Sequence, residues 1–201
     1  FYAALKASYD MGNGKLAGTV WYASGNDKKD VEKGDYNTMP SLIGTDAGDP
    51  GAAFTSMGFW GNHPLAAGGF ISQNAVGTAG IVLAWEEFSF LADLSHNARL
   101  AWYTGTHDKD LRGSDGKWIY NLGANDASGG ANAWLYKNNI MLTEKDYVYE
   151  INFESKDQIA KGFTATGTAG YAFIDWQGKY EDAYDLDDKM WRVGLGFQYA
   201  F

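Results

Sequence analysis

Residues 190–201 read MWRVGLGFQYAF, and the alternation in this stretch decides the fold. Trp191, Val193, Leu195, Phe197, Tyr199 and Phe201 fall on one side in strict period two. Arg192, Gly194, Gly196, Gln198 and Ala200 fall on the other. Period two belongs to a β-strand, whose successive side chains point to opposite faces. One face is bulky and apolar, the other small or polar. Two environments suit that contrast: a sheet with a core behind it, or a membrane strand with lipid on the bulky side and a lumen on the other. The run is long for a soluble sheet and matches a tilted membrane span of about 9–11 residues.

The same signature recurs upstream. In KDYVYEINFE (145–154), Tyr147, Tyr149, Ile151 and Phe153 alternate with Asp146, Val148, Glu150, Asn152 and Glu154. FTATGTAGYAFI (163–174) sets Phe163, Ala165, Gly167, Ala169, Tyr171 and Phe173 against a threonine-rich face. NARLAWYTGT (97–106) points Ala98, Leu100 and Trp102 away from Arg99, Ala101 and Tyr103. TAGIVLAWEE (78–87) sets Ala79, Ile81, Leu83 and Trp85 against Val82, Ala84 and Glu86, although Val82 is apolar on a face expected to be wet. Residues 1–10 set Phe1, Ala3, Leu5, Ala7 and Tyr9 against Tyr2, Ala4, Lys6, Ser8 and Asp10. In LAGTVWYAS (16–24), Trp21 fits either face. Seven strands are expected, and no comparable run has helical periodicity. EEFSFLADLSHNA (86–98) reads either as one helical turn or as a turn between strands.

Connections alternate in length. GNGK (12–15), a segment near 88–96, and KDQIAKG (156–162) are short. Residues 25–76, 107–143 and 175–188 are long, polar and Gly-rich. Short turns on one side and long loops on the other are a habit of outer-membrane barrels. The 25–76 segment is long for a loop. It holds either a constriction folded into the mouth or a further strand. Seven is odd, whereas complete single-chain bacterial barrels have even counts. Residue 1 already lies in a strand. The expected fold is therefore all-β: an antiparallel transmembrane β-barrel, with residues 1–201 forming the C-terminal portion of one larger barrel domain.

Composition agrees with a twisted, aromatic-rich sheet: Gly 26, Trp 8, Tyr 13, Phe 11, Pro 3. A net charge of −9 argues against nucleic acid, which selects a basic stripe. The absence of Cys removes thiol chemistry and thiolate metal sites. No apolar run reaches the roughly 18 residues of a helical span. The opening FYAALKASYD has no signal peptide and no initiator Met, as in a processed or trimmed chain.

The last strand, ending VGLGFQYAF, resembles the closing strand of outer-membrane barrels, in which the terminal aromatic, here Phe201, belongs to the assembly signal. GTAGIVLAWEEFSFLADLSHNARLAWYTGTHDKD (77–110) and the region from YVYEINFESKDQIAKGFTATGTAGYAFIDW to the end resemble the homotrimeric porins of Desulfovibrio-type bacteria. They cover roughly half the chain. The resemblance implies a barrel of about 16 strands, a homotrimer, contact with outer-membrane lipid, and location in the cell outer membrane of a Gram-negative bacterium. It also implies passive diffusion of ions and small hydrophilic solutes through a water-filled channel. The alternatives are a substrate-specific channel or exporter, and a non-transport structural or adhesive barrel.

The residues expected to line such a pore are Lys6, Asp10, Glu86, Arg99, Asp146, Glu150, Glu154 and Arg192, all on the non-lipid face. Arg99 and Arg192 would oppose Glu150 and Glu154. Acids exceed bases, which predicts mild cation preference. The long loops carry charge runs that read as solvated loops or as a cation-attracting mouth. Asp182, Asp185, Asp187 and Asp188 cluster without EF-hand spacing. No metal or cofactor is expected. Catalysis is not expected either: His63, His96 and His107 lie in loops or turns, Ser95 gains nothing from adjacency to His96, and G-x-S-x-G, H-E-x-x-H and P-loop patterns are absent.

Overall fold

The computed structural model describes residues 1–35, 37, 77–111, 142–176 and 188–200. They form one seven-stranded antiparallel sheet in chain order: β1 (Tyr2–Asp10), β2 (Lys15–Ala23), β3 (Thr78–Leu91), β4 (Leu94–Gly105), β5 (Tyr147–Ala160), β6 (Phe163–Asp175) and β7 (Lys189–Tyr199). All seven expected strands are present. A five-residue helix α1 (Lys28–Glu32), capped by Asp27 accepting from the Lys29 amide, and a 3-10 turn (Lys109–Leu111) lie where loops were expected.

The sheet is open. β1 pairs with β2 and β7 with β6, and neither terminal strand has a second neighbour among the described strands. The expected closed barrel is therefore corrected to an open meander, which encloses no lumen. Alternating hydrophobicity fixes strands and their faces, but closure depends on whether the two end strands meet, and here they do not.

The meander gathers the three short turns at one end. Met11 donates to the Gly14 carbonyl at 3.0 Å in the first, where Gly12 and Gly14 have φ of 79° and 97°. Asp93 (φ 64°) and Gly162 (φ 76°) turn the other two. Strands β3 and β5 run further than their alternation suggested. The stretch read as a helical turn or a link is the β3–β4 hairpin, and most of KDQIAKG belongs to β5. β3 also gains one residue on β4 between Trp85↔Ala98 and Phe88↔His96, with Glu87 at φ 57°. This bulge moves Phe88 onto the face of Trp85, where the rings stack 4.0 Å apart.

The core lies on the face expected to be wet. Trp21, Val82, Tyr103, Val148 and Ile174 are buried there, with Leu142 and Trp176 packed in from the adjoining connections. Register explains the fit. Trp21, Gly80, Tyr103, Val148 and Ile174 form one transverse row. A Cβ on Gly80 would stand 2.5 Å from both Trp21 and Tyr103, so the missing side chain is what admits the two rings, 6.0 Å apart. Trp21 thus faces inward, its indole donating to Thr78 Oγ1 at 3.0 Å. Val82, the expected exception on this face, is simply core.

Candidate functional site

The two faces carry different chemistry. On the inner face, apolar rows at the long-connection end give way to polar ones toward the short turns. The boundary residue is Glu150, only 3% exposed. Tyr103 Oη donates to its Oε2 at 3.0 Å and Asn152 Nδ2 to its Oε1 at 2.7 Å. Burial, reinforced by the Glu150 charge, holds the Tyr103 phenol well above its usual range. That keeps it a proton donor. Four residues after Glu150, buried Glu154 accepts from Asn97 Nδ2 at 2.8 Å and pairs with Lys156 at 3.2 Å.

The eight charged residues singled out from the sequence are only partly brought together. Lys6 pairs with Glu86 at 2.8 Å across β2, on an exposed part of the face. Asp10 is exposed and caps the first turn, accepting from the Gly12 amide at 2.8 Å. Arg99 and Arg192 share one transverse row, with Asn152 and Gly170 between them. Glu150 and Glu154 flank that row on β5. Tyr103 and Asn152 donate to Glu150, and Asn97 and Lys156 bind Glu154. Asp146 is not on a strand: its Oδ2 accepts from the Thr143 amide and hydroxyl at 2.7 and 2.8 Å, fixing the turn into β5. Phe201, His63, Asp182, Asp185 and Asp187 lie outside the described residues. Asp188 is bound up in the sheet end, its carbonyl accepting from Ile174 N and its carboxylate 3.5 Å from Lys189. No group of three potential metal ligands occurs among the described residues.

His107 lies in the connection after β4, as expected, and is buried there as a clamp at the long-connection end. Its Nδ1 accepts from the Asn26 amide at 3.1 Å, and its ring fills the space a Cβ on Gly77 would take. Burial lowers its pKa to about 4, so the ring is neutral at pH 7.

One pairing escaped the sequence. His96 Nδ1 lies 2.8 Å from Ser155 Oγ, because β4 and β5 set these residues opposite each other. A serine nucleophile also needs an oxyanion hole of free N–H donors. Ser155 is in register with β4 on one side and β6 on the other, so the backbone around it is spent in ladders. His96 is instead packed among Phe88, Phe90 and Phe153, with ring centroids 5.2–6.1 Å away.

The outer face is apolar from edge to edge. Leu5, Val20, Ile81, Leu83, Leu100, Trp102, Tyr149, Ile151, Tyr171, Phe173, Val193 and Leu195 are all exposed on it. A shallow depression of about 420 Å³ opens at its centre, between Ile81, Leu83, Leu100, Ile151 and Phe173. A monomer in water rarely exposes a contiguous apolar patch above a few hundred Å².

No family model, no curated protein and no solved structure matches the chain. Together with the open sheet, this corrects what the porin resemblance implied. A trimeric porin relationship, a parent barrel, lipid contact, an outer-membrane location, and passage of solutes through a pore or a selective channel are not supported.

Proposed function

We propose that this chain is a non-catalytic β-sheet module that works by laying its outer face against an apolar surface of a partner protein. The continuous apolar outer face carries this reading. Burying it is worth roughly 25 cal/mol per Å², and stacked sheets with such faces pack about 10 Å apart. The inner face is already filled by its own core and by satisfied carboxylates, which suits a support rather than a reaction centre.

The test uses the full chain and a variant carrying Leu83→Thr, Leu100→Thr, Ile151→Thr and Val193→Thr, all on exposed outer positions. Wild type should enhance bis-ANS fluorescence and elute from gel filtration above its 22.0 kDa mass. The variant should lose both properties while keeping its far-UV β signal. A wild-type chain that ran as a monomer without binding bis-ANS would sink the proposal.

A further inference from the structure

The two edges of the sheet are not equivalent. In an antiparallel ladder, alternate residues turn N–H and C=O toward the same neighbour. Ile174 N donates to the Asp188 carbonyl and Ala200 N to the Gly162 carbonyl. Even-numbered residues of β7 therefore bond to β6, and odd-numbered ones face the edge that has no neighbour among the described strands. Trp191, Val193, Leu195 and Phe197 consequently present backbone donors and acceptors outward, and their side chains lie on the apolar face. On β1, Ser24 N donates to the Phe1 carbonyl, so the parity is reversed, and Ala4, Lys6 and Ser8 face that edge.

Proteins guard edges with lysine, inward-pointing charge, proline or bulges. β1 has Lys6 at its centre and Asp10 at its end. β7 gathers its two charges, Lys189 and Arg192, toward its first residues, and from Val193 to Tyr199 it has no charge, no proline and no irregularity in its pairing with β6. Its outer side chains also lack a flank. Trp191 and Val193 are 76% and 72% exposed, against 37% for Trp102 and 38% for Phe173 inside the sheet. On the inner side, Gly194 and Gly196 leave the strand low and smooth.

We propose that the β7 edge is an acceptor for one further antiparallel strand: an extended protein segment with bulky apolar residues at alternate positions and small polar residues between them. Backbone pairing supplies the affinity, and the alternation supplies the specificity. Apolar side chains of the incoming strand cover the bare flanks of Trp191, Val193, Leu195 and Phe197. Its small residues lie over the glycine side. The proposal deepens the outer-face reading, since the added strand extends that same face.

Residue-resolved hydrogen exchange on the full chain tests it, with a ten-residue peptide alternating Val and Thr as the probe. In the free protein, amides of Trp191, Val193, Leu195 and Phe197 should exchange at least about tenfold faster than those of Arg192, Gly194 and Gly196. The peptide should slow the odd set to the level of the even set. Leu195→Pro removes an edge-facing N–H without breaking the β6 ladder, a position at which proline is tolerated. That variant should stay folded, still bind bis-ANS, and lose the peptide's protection. Equal protection of both sets in the free chain overturns the proposal, as does a peptide that leaves exchange unchanged or that protects L195P as well as wild type. Because bis-ANS reports the face and exchange reports the edge, failure of one reading is separable from failure of the other.

Discussion

The inner and outer faces of this sheet draw on the same strands, yet they invert the usual relation between size and burial. On the outer face the large apolar side chains are exposed. On the inner face, alanines, threonines and carboxylates are buried beside Trp21 and Tyr103. The difference teaches that hydrophobicity alone does not mark a core. The buried face is the one whose rows interlock, with Gly80 making room for two rings and Tyr103 and Asn152 satisfying Glu150. The outer face has ring contacts of its own, such as Trp102 with Tyr147 and Tyr149 with Phe173, but nothing among the described residues covers it. Equal truncations on the two faces should therefore have unequal cost.

The largest effect is expected at Trp21. Trp21→Ala should lower the unfolding free energy by about 3–5 kcal/mol, read by urea denaturation, since it empties the row beside Gly80. A loss below 1 kcal/mol would place the core elsewhere. The next effect is pH-dependent. His107 has a folded pKa of about 4, below the usual 6.5. The unfolded chain therefore binds the extra proton first. The clamp's stabilisation is complete above pH 6.5 and is lost as pH falls toward 4. The full shift corresponds to about 3 kcal/mol. Urea midpoints from pH 7.5 to 4 should fall more steeply for wild type than for His107→Gln, and equal slopes would remove His107 from that role.

Smaller effects sharpen the contrast. Tyr103→Phe leaves Glu150 without one of its donors and should cost about 1–3 kcal/mol, again by denaturation. Leu100→Thr, at a site 57% exposed, should stay within about 0.5 kcal/mol while reducing bis-ANS binding. Smallest of all, Ser155→Ala should change stability by less than about 1 kcal/mol. A fluorophosphonate probe should label neither it nor wild type. Labelling that depends on Ser155 would make the His96 contact catalytic and overturn the non-catalytic reading.

Much of the sheet was legible because period two is a local property. Strands such as MWRVGLGFQYAF and YVYEINFE announce themselves and their faces. The bulge at Glu87 was not legible: in TAGIVLAWEEFSFL, Glu86 and Phe88 have the same parity, and only a positive φ between them parts their faces. The polar end of β5 read as a link, because its strand character comes from pairing with Leu94–Asn97. The inner face read as wet because its apolar members, Trp21, Val82, Val148 and Ile174, come from four separate strands. The charged residues singled out on β1, β3, β4, β5 and β7 share the parity of the inner face, but their partners depend on which strand lies next and in what register. That is also why His96 and Ser155, 59 positions apart, gave no signal. Closure was the furthest inference, since no local pattern states whether the first and last strands meet.

The alternation of short and long connections also has a kinetic consequence. β1–β2, β3–β4 and β5–β6 are each joined by a tight turn and can zip as hairpins, on a scale of about 1–10 μs. The β2–β3, β4–β5 and β6–β7 ladders must close across much longer spans, at an entropic cost that rises by about 0.6 kcal/mol with each doubling of loop length. The molecule should therefore assemble as three preformed ribbons that dock side by side, with β7 added to the last. Pulse-labelled exchange during refolding should show the Ile81 and Trp102 amides, which face each other across the β3–β4 hairpin, protected together, ahead of the Thr19 and Val82 amides at the β2–β3 seam. The chemistry of the short turns thus sets the order in which an open sheet comes into being.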